Sequence, residues 1–131
     1  MEKQERIVRD FYSEIWEKKN LSLISTILNS DFVFRGSLGQ EAKGHKGFID
    51  YVEYIHGALS EYSCEIEDMV SGYNKVFVKM KFTGIHTGSF IGFKPTNKEI
   101  YWSGAALFNF KDLKISNLWV LGDIKGLEAQ F

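Results

Sequence analysis

The spacing of apolar residues changes from a helical period to a strand period near residue 60, and this change limits the possible folds more than any other feature. Before it, apolar residues recur every three or four positions over residues 3–18 and 46–59, which predicts two amphipathic helices. After it, apolar and polar residues alternate, which predicts long strands with one buried face. Helices followed by an antiparallel meander predict an α+β fold, with the helices packed on one face of a curved sheet.

Capping and turn residues place the other elements. Asn20 is suited to begin a short second helix, and residues 31–35 predict a short strand. The later segments are, in order, a turn at 72–74, a loop at 88–97, a strand at 98–110, a turn at 111–114, a strand at 115–122 and a short helix or tail at 124–131. Because no linker, repeat or low-complexity segment interrupts this order, residues 1–131 are predicted to form a single domain.

Charge, cysteine and glycine patterns argue against several classes of function. Sixteen basic and seventeen acidic side chains give a net charge of −1, so we expect no binding to nucleic acid or to a membrane. The three histidines and one cysteine lack metal-ligand spacing, and the glycines lack a nucleotide-binding pattern, so we expect neither a metal nor a cofactor. The first six residues do not resemble a signal peptide, and no apolar run reaches the ~18 residues of a membrane span. We therefore expect a cytoplasmic protein.

Hairpin geometry allows the last three strands to be aligned with one another. Around a turn centred between residues 112 and 113, paired residue numbers should sum to about 225, which places Trp102 opposite Asp123. Around a turn near Lys94 the sum should be about 188, which places His86 opposite Trp102. Since directly opposed residues share a face, Asp123, Trp102 and His86 are predicted to lie on one face of the sheet.

The same face is predicted to combine small residues with large ones. Gly84, Gly104 and Ala106 fall beside Trp119 and Leu121, an arrangement that leaves room for a pocket, although glycines here also allow a sheet to bend. Aromatic residues make up 15% of the chain. This share fits a very aromatic core, the wall of a ligand pocket, or self-association through rings.

The segment from Phe82 to Phe131 resembles the SnoaL-like polyketide cyclases, also called predicted ester cyclases, of the nuclear transport factor 2-like superfamily. Three motifs carry the resemblance: Gly-x-His-x-Gly at a strand end, Pro-Thr-x-Lys in a turn, and Trp-x-x-x-Asp at the end of the last strand. The resemblance implies a cone-shaped barrel, with N-terminal helices on a strongly curved, mostly antiparallel sheet around one deep pocket. In the characterised cyclases, an aspartate at the end of the last strand is the acid and base of an intramolecular aldol ring closure. That position matches Asp123.

The chain also departs from this family. It has Gly36-Ser37 after the first strand, where well-studied cyclases often carry a histidine. It has Ala105-Ala106 in a middle strand, where they often carry a polar residue. These differences leave the substrate open, and fold-level kinship alone does not define a function.

Together, the residues and the resemblance predict cofactor-free acid/base chemistry, an aldol cyclisation or isomerisation, on a small hydrophobic carbonyl compound. Asp123 is expected to take a proton α to the carbonyl and His86 to stabilise the enolate. The residues expected to bind the substrate are Tyr12, Trp16, Phe34, Arg35, Phe82, Trp102, Trp119 and Leu121. The alternative is a domain of the same fold that binds a small molecule without catalysis.

Each candidate also has a purely structural interpretation. Asp123 is placed to cap a helix that begins at residue 124, and His86 to hydrogen-bond the loop that follows it. The aromatic residues are equally suited to a core, and Arg35 to an exposed surface. The opposite face is predicted to be apolar and to form a homodimer through Ile85, Tyr101, Leu107, Leu118 and Val120.

Overall fold

A computed structural model describes residues 2–131. The helices are α1 (Glu2–Asp10), which continues directly into a π-helix (Phe11–Glu17), then a 3-10 turn (Leu21–Leu23), α2 (Ile24–Ile27), α3 (Gly44–Ala58) and α4 (Ile124–Glu128). The strands are β1 (Leu28–Arg35), β2 (Glu41–Lys43), β3 (Leu59–Gly72), β4 (Lys75–His86), β5 (Glu99–Lys111) and β6 (Lys114–Gly122).

The strands form one mixed sheet in the order β2-β1-β6-β5-β4-β3. Strand β1 runs parallel to β6, and every other pair in this order is antiparallel. The helices cover the concave face of the curved sheet, which confirms the predicted α+β class. The barrel is not closed, because β2 and β3 remain edge strands.

The first helix changes its hydrogen-bonding pattern halfway along the segment predicted as a helix. From Phe11 onward the bonds span five residues, as in the 3.2 Å bond from the Lys18 N–H to the Ser13 carbonyl. This wider turn brings residues four positions apart into line, so that Tyr12 and Trp16 both point into the protein and are at most 5% exposed. A π-helical segment of this kind often marks a functional site.

The predicted alignment of β5 with β6 fails beyond a β-bulge. Phe110 faces Ile115 as predicted, but Asn109 faces Asn117, so Ser116 is an extra residue in β6. Its hydroxyl donates to the Asn109 carbonyl at 3.1 Å. One extra residue exchanges the two faces of the strand from that point on.

Because of this exchange, four residues of β6 lie on the face opposite to the one predicted. Leu118 and Val120 face the core, at 2% and 5% exposure, instead of the outer face. Trp119 and Leu121 face outward, at 43% and 51% exposure, instead of the pocket.

The alignment of β4 with β5 is shifted, but its faces are as predicted. Gly84 faces Ile100 instead of Gly104, a displacement of four residues. The turn centres on Ile91 and Gly92, both at positive φ, and not near Lys94. Because the displacement is an even number, the residues that were predicted to face the core still do so. His86 and Trp102 therefore share the inner face, at 0% and 2% exposure.

Candidate functional site

A small cavity lies between the π-helix and the curved sheet. Its volume is about 20 Å³, and it is lined by Phe11, Tyr12, Trp16, Phe34, Ser37, Tyr62, Phe82, Leu118 and Val120. A cavity needs roughly 10–15 Å³ to hold one water molecule, so this one is of about that size. Four of the residues predicted to bind substrate therefore meet at one place: Tyr12, Trp16, Phe34 and Phe82.

The wall of this cavity offers hydrogen-bond donors and no charged group. The hydroxyl of Tyr12 is buried and has no hydrogen-bond partner. The same is true of the Tyr51 hydroxyl and the Trp102 indole N–H, which lie one ring further out. Tyr51 packs against Phe34 at 5.1 Å, and Trp102 packs against Phe82 at 5.3 Å, both measured between ring centroids. Tyr12 thus places one unpaired donor in the cavity wall, and Tyr51 and Trp102 each carry one on a ring that packs against that wall.

Burial keeps these phenols protonated. It raises the pKa of Tyr12 and of Tyr62 well above the usual value near 10. Burial also raises the pKa of Tyr51 to about 12, partly offset by the Ser37 side chain and the Leu38 backbone, which lie near the phenol oxygen without forming a hydrogen bond of good geometry. At neutral pH these groups can donate a hydrogen bond to an oxygen atom, and they cannot serve as bases.

The space predicted around the glycines of β4 and β5 is filled. A Cβ atom on Gly104 would lie 2.6 Å from the Phe82 ring, and one on Gly84 would lie 2.9 Å from the Cβ of Leu59. These glycines therefore let a ring and a leucine approach the sheet. The cavity lies instead where Phe82 meets the π-helix.

Asp123 lies outside this cavity. Its side chain is exposed and accepts the Gly126 N–H at 3.0 Å, and therefore caps α4. The position is nevertheless close to the cavity wall. A Cβ on Gly122 would lie 2.7 Å from the carbonyl oxygen of Ser37, a residue that lines the cavity.

His86 lies on the predicted face but in a second cluster of rings. Its Nδ1 accepts the backbone N–H of Thr96 at 3.2 Å, and its Nε2 is buried without a partner. The imidazole is covered by the rings of Phe131 and Phe90, with centroids at 4.7 and 6.3 Å. The structure therefore does not bring His86 and Asp123 together at the cavity.

Arg35 is held by the rim of the sheet. Its Nη1 donates to the carbonyls of Gly36 and Val120, and its guanidinium lies 5.8 Å from the centroid of the Trp119 ring. With Trp119 it lines a shallow groove on the outer face, so these two residues are brought together away from the cavity.

Sequence reasoning missed Ser37, Tyr51 and Tyr62 as parts of this site. Tyr51 lies on the apolar stripe of α3, and Tyr62 on the inward-facing positions of β3, so the pattern did mark both as buried. Only the packed structure shows that the Tyr51 hydroxyl has no partner.

Other kinds of site find no support in the described part of the chain. Residues 2–131 contain no group of three or more histidine, cysteine or acidic side chains that could hold a metal ion. In the same range, no helix has the length and apolar character needed to cross a membrane.

The chain belongs to the SnoaL-like polyketide cyclase family, whose model matches residues 6–131. This result confirms the resemblance read from the three motifs. No protein of curated function matches the sequence.

Solved structures show the same fold at low sequence identity. AclR, a proposed hydroxylase from Streptomyces galilaeus, superposes with a TM-score of 0.85 at 20% identity, over 99% of this chain and 81% of its own. A proposed polyketide cyclase from Acidithiobacillus ferrooxidans gives 0.85 at 22% identity, over 98% and 93%. A SnoaL-like polyketide cyclase from Agrobacterium tumefaciens gives 0.82 at 16% identity, over 97% and 96%. Proteins described by different activities therefore share this architecture.

Proposed function

We propose that the interior of the cone binds a small, mostly apolar molecule that carries one or two oxygen acceptors. The observation that carries this proposal is the unpaired Tyr12 hydroxyl in the cavity wall, with the unpaired donors of Tyr51 and Trp102 on rings that pack against that wall. A buried donor without a partner costs about 1–3 kcal/mol, which an oxygen atom of a ligand would recover. The aromatic wall suits the flat face of such a molecule.

Binding must be accompanied by movement of the wall. Pockets that enclose a drug-sized ligand measure roughly 300–1,000 Å³, far more than the 20 Å³ of this cavity. Ser37 lies in the short loop between β1 and β2, where Gly39 has positive φ and few contacts. Displacement of this loop, together with rotation of Phe34, is the simplest way to enlarge the cavity.

Catalysis on the bound molecule is a second candidate function, favoured by family membership and by the contact between Gly122 and Ser37. Protonated phenols can polarise a ketone and stabilise an enolate. Asp123 would have to take the proton from the ligand. To do so, its carboxylate would first release the Gly126 N–H and move past Ser37 into the cavity. Since the cavity wall itself contains no base, ligand binding is the function that the geometry supports best.

A pair of matched probes tests the proposed binding. We expect 2-acetylnaphthalene to bind about fivefold more tightly than 2-isopropenylnaphthalene, which has the same shape without the oxygen, because one recovered hydrogen bond contributes roughly 1 kcal/mol. Titration calorimetry on Tyr12→Phe should show this preference reduced or lost.

Tyr73→Phe provides the control for the loss of a hydroxyl, since Tyr73 is 97% exposed in the β3–β4 turn. It should retain the full preference for the ketone. Equal binding of the two probes by the unmodified protein, or an unchanged preference in Tyr12→Phe, would contradict the proposal.

A further inference from the structure

The second ring cluster, at the end of β4, contains a buried donor that the proposed cavity does not use. Nδ1 of His86 accepts the backbone N–H of Thr96 at 3.2 Å and lies 3.0 Å from Oγ1 of Thr96, whose hydroxyl can donate to the same nitrogen. The neutral tautomer that fits both contacts carries its proton on Nε2. That Nε2–H is fully buried and has no acceptor. Two aromatic rings pack on the imidazole, Phe131 at 4.7 Å with an interplanar angle of 52° and Phe90 at 6.3 Å.

Phe131 is held over His86 by contacts at the edge of the sheet. The side chain of Gln130 accepts the Tyr101 N–H at 3.0 Å and donates to the Tyr101 carbonyl. The Phe131 ring also stacks on Phe93 at 4.6 Å, on the exposed side of the cluster. The backbone N–H groups of Gln130 and Phe131 also donate to the carbonyls of Leu127 and Glu128 at 3.1 and 3.2 Å. None of these bonds belongs to a strand ladder, so the Phe131 ring can leave the cluster without unfolding a strand.

The cluster is connected to the cavity by a continuous series of rings. Phe90 lies between His86 and Trp102, at 6.3 and 5.9 Å. Trp102 in turn packs on Phe82, which lines the cavity. The unpaired donors of His86 and Trp102 therefore lie on either side of Phe90, in a series of aromatic rings that extends from the surface to the interior.

We propose that the Phe131 ring occupies a ligand subsite, in which an aromatic ring bearing a carbonyl or hydroxyl oxygen takes its place and accepts the His86 Nε2–H. An aromatic compound with an oxygen acceptor matches both the Nε2–H donor and the rings of Phe90 and Phe131 beside it. Displacement of Phe131 pairs a donor that is otherwise unsatisfied, and the incoming ring replaces the lost ring contacts. This subsite is additional to the cavity at Tyr12, and its existence does not depend on that proposal.

Removal of the competing ring tests the subsite. Phe131→Ala should bind 2-acetylnaphthalene about tenfold more tightly than the unmodified protein, if the subsite is open in only about a tenth of the molecules. Tyr73→Ala is the control, because it truncates an aromatic side chain that is 97% exposed in the β3–β4 turn. It should leave the affinity unchanged.

The side-chain nitrogens of His86 give a second readout. In a ¹⁵N-labelled sample of Phe131→Ala, the ketone should shift the Nε2 resonance while the Nδ1 resonance, paired with Thr96, moves little. Equal affinity in Phe131→Ala and in the unmodified protein would overturn the proposal, as would tighter binding without a shift at Nε2. Adding Tyr12→Phe distinguishes the two sites, because it should weaken binding in the cavity and leave the gain from Phe131→Ala in place.

Discussion

The carboxylate of Asp123 accepts the backbone N–H of Gly126 at 3.0 Å, across the first turn of α4. A Cβ on Gly126 would lie 2.3 Å from Oδ2 of Asp123, so a side chain there would force the carboxylate to shift. The close approach of the cap to its helix therefore depends on the glycine. It holds a short helix whose Leu127 is fully buried, and so links the end of β6 to the core.

This contact predicts how substitutions at position 123 affect stability. Asp123→Ala should lower the free energy of unfolding by about 1 kcal/mol, because it removes the cap. Asp123→Asn should cost clearly less, because an amide oxygen caps nearly as well. Urea unfolding of the two variants measures the difference. Equal losses, or none in Asp123→Ala, would show that the cap contributes little.

Removal of the unpaired Tyr12 hydroxyl should stabilise the protein in the absence of ligand. Tyr12 is 4% exposed, and its hydroxyl has no partner. Tyr12→Phe keeps the ring contacts and removes a buried donor, so we expect the free energy of unfolding to rise by about 1 kcal/mol. Thermal unfolding should show the increase, while Tyr73→Phe should show none. A decrease for Tyr12→Phe would mean that the hydroxyl is paired in solution.

The buried face was predicted correctly for β4, where one face is polar and the other apolar. It was predicted wrongly for β6, where both faces are apolar. In β4, Lys79 and Lys81 alternate with buried residues, so the sequence identifies the inner face even though the pairing is displaced by four residues. In β6, residues 118–121 are all apolar, so alternation cannot tell which face is buried. The bulge at Ser116 decides it, and no pattern in the sequence indicates that bulge.

The candidate site was predicted only as far as its rings. Tyr12, Trp16, Phe34 and Phe82 meet because each lies on the buried face of its element, and periodicity reveals that face. The positions of Asp123 and His86 depended on strand register, and in addition on which backbone groups each side chain reaches. Those local hydrogen bonds, to Gly126 and Thr96, are set by loop geometry that strand spacing does not describe.

The buried phenols predict a loss of stability at alkaline pH. Burial raises the pKa of Tyr62 above its value in the unfolded chain. Above about pH 10 the unfolded chain loses this proton while the folded chain keeps it, so stability falls by about 1.4 kcal/mol per pH unit for each such phenol. The stability that the buried, protonated phenol contributes is fully present below pH 10, and it is lost as the pH rises toward the folded-state pKa.

In Tyr62→Phe, the free energy of unfolding should therefore fall less steeply with pH, by about 1.4 kcal/mol per pH unit, the contribution of one proton. Urea unfolding at a series of pH values from about 9 to 11.5 measures it, over a range that includes the usual tyrosine pKa. Tyr73→Phe serves as the control. Parallel curves for the unmodified protein and Tyr62→Phe would show that Tyr62 ionises equally in both states.

The outer face of the sheet predicts self-association, through Leu107, which the sequence also indicated, together with Phe77 and Trp119, which it did not. Phe77, Leu107 and Trp119 are directly opposed on β4, β5 and β6 and form an apolar row, with Phe77 and Trp119 at 41% and 43% exposure. Because monomers rarely expose a contiguous apolar patch beyond a few hundred Å², we expect a homodimer through this row. Trp119→Lys should convert the dimer to a monomer in sedimentation equilibrium, and Tyr73→Lys, on a turn, should not. A monomeric unmodified protein at micromolar concentration would contradict this expectation.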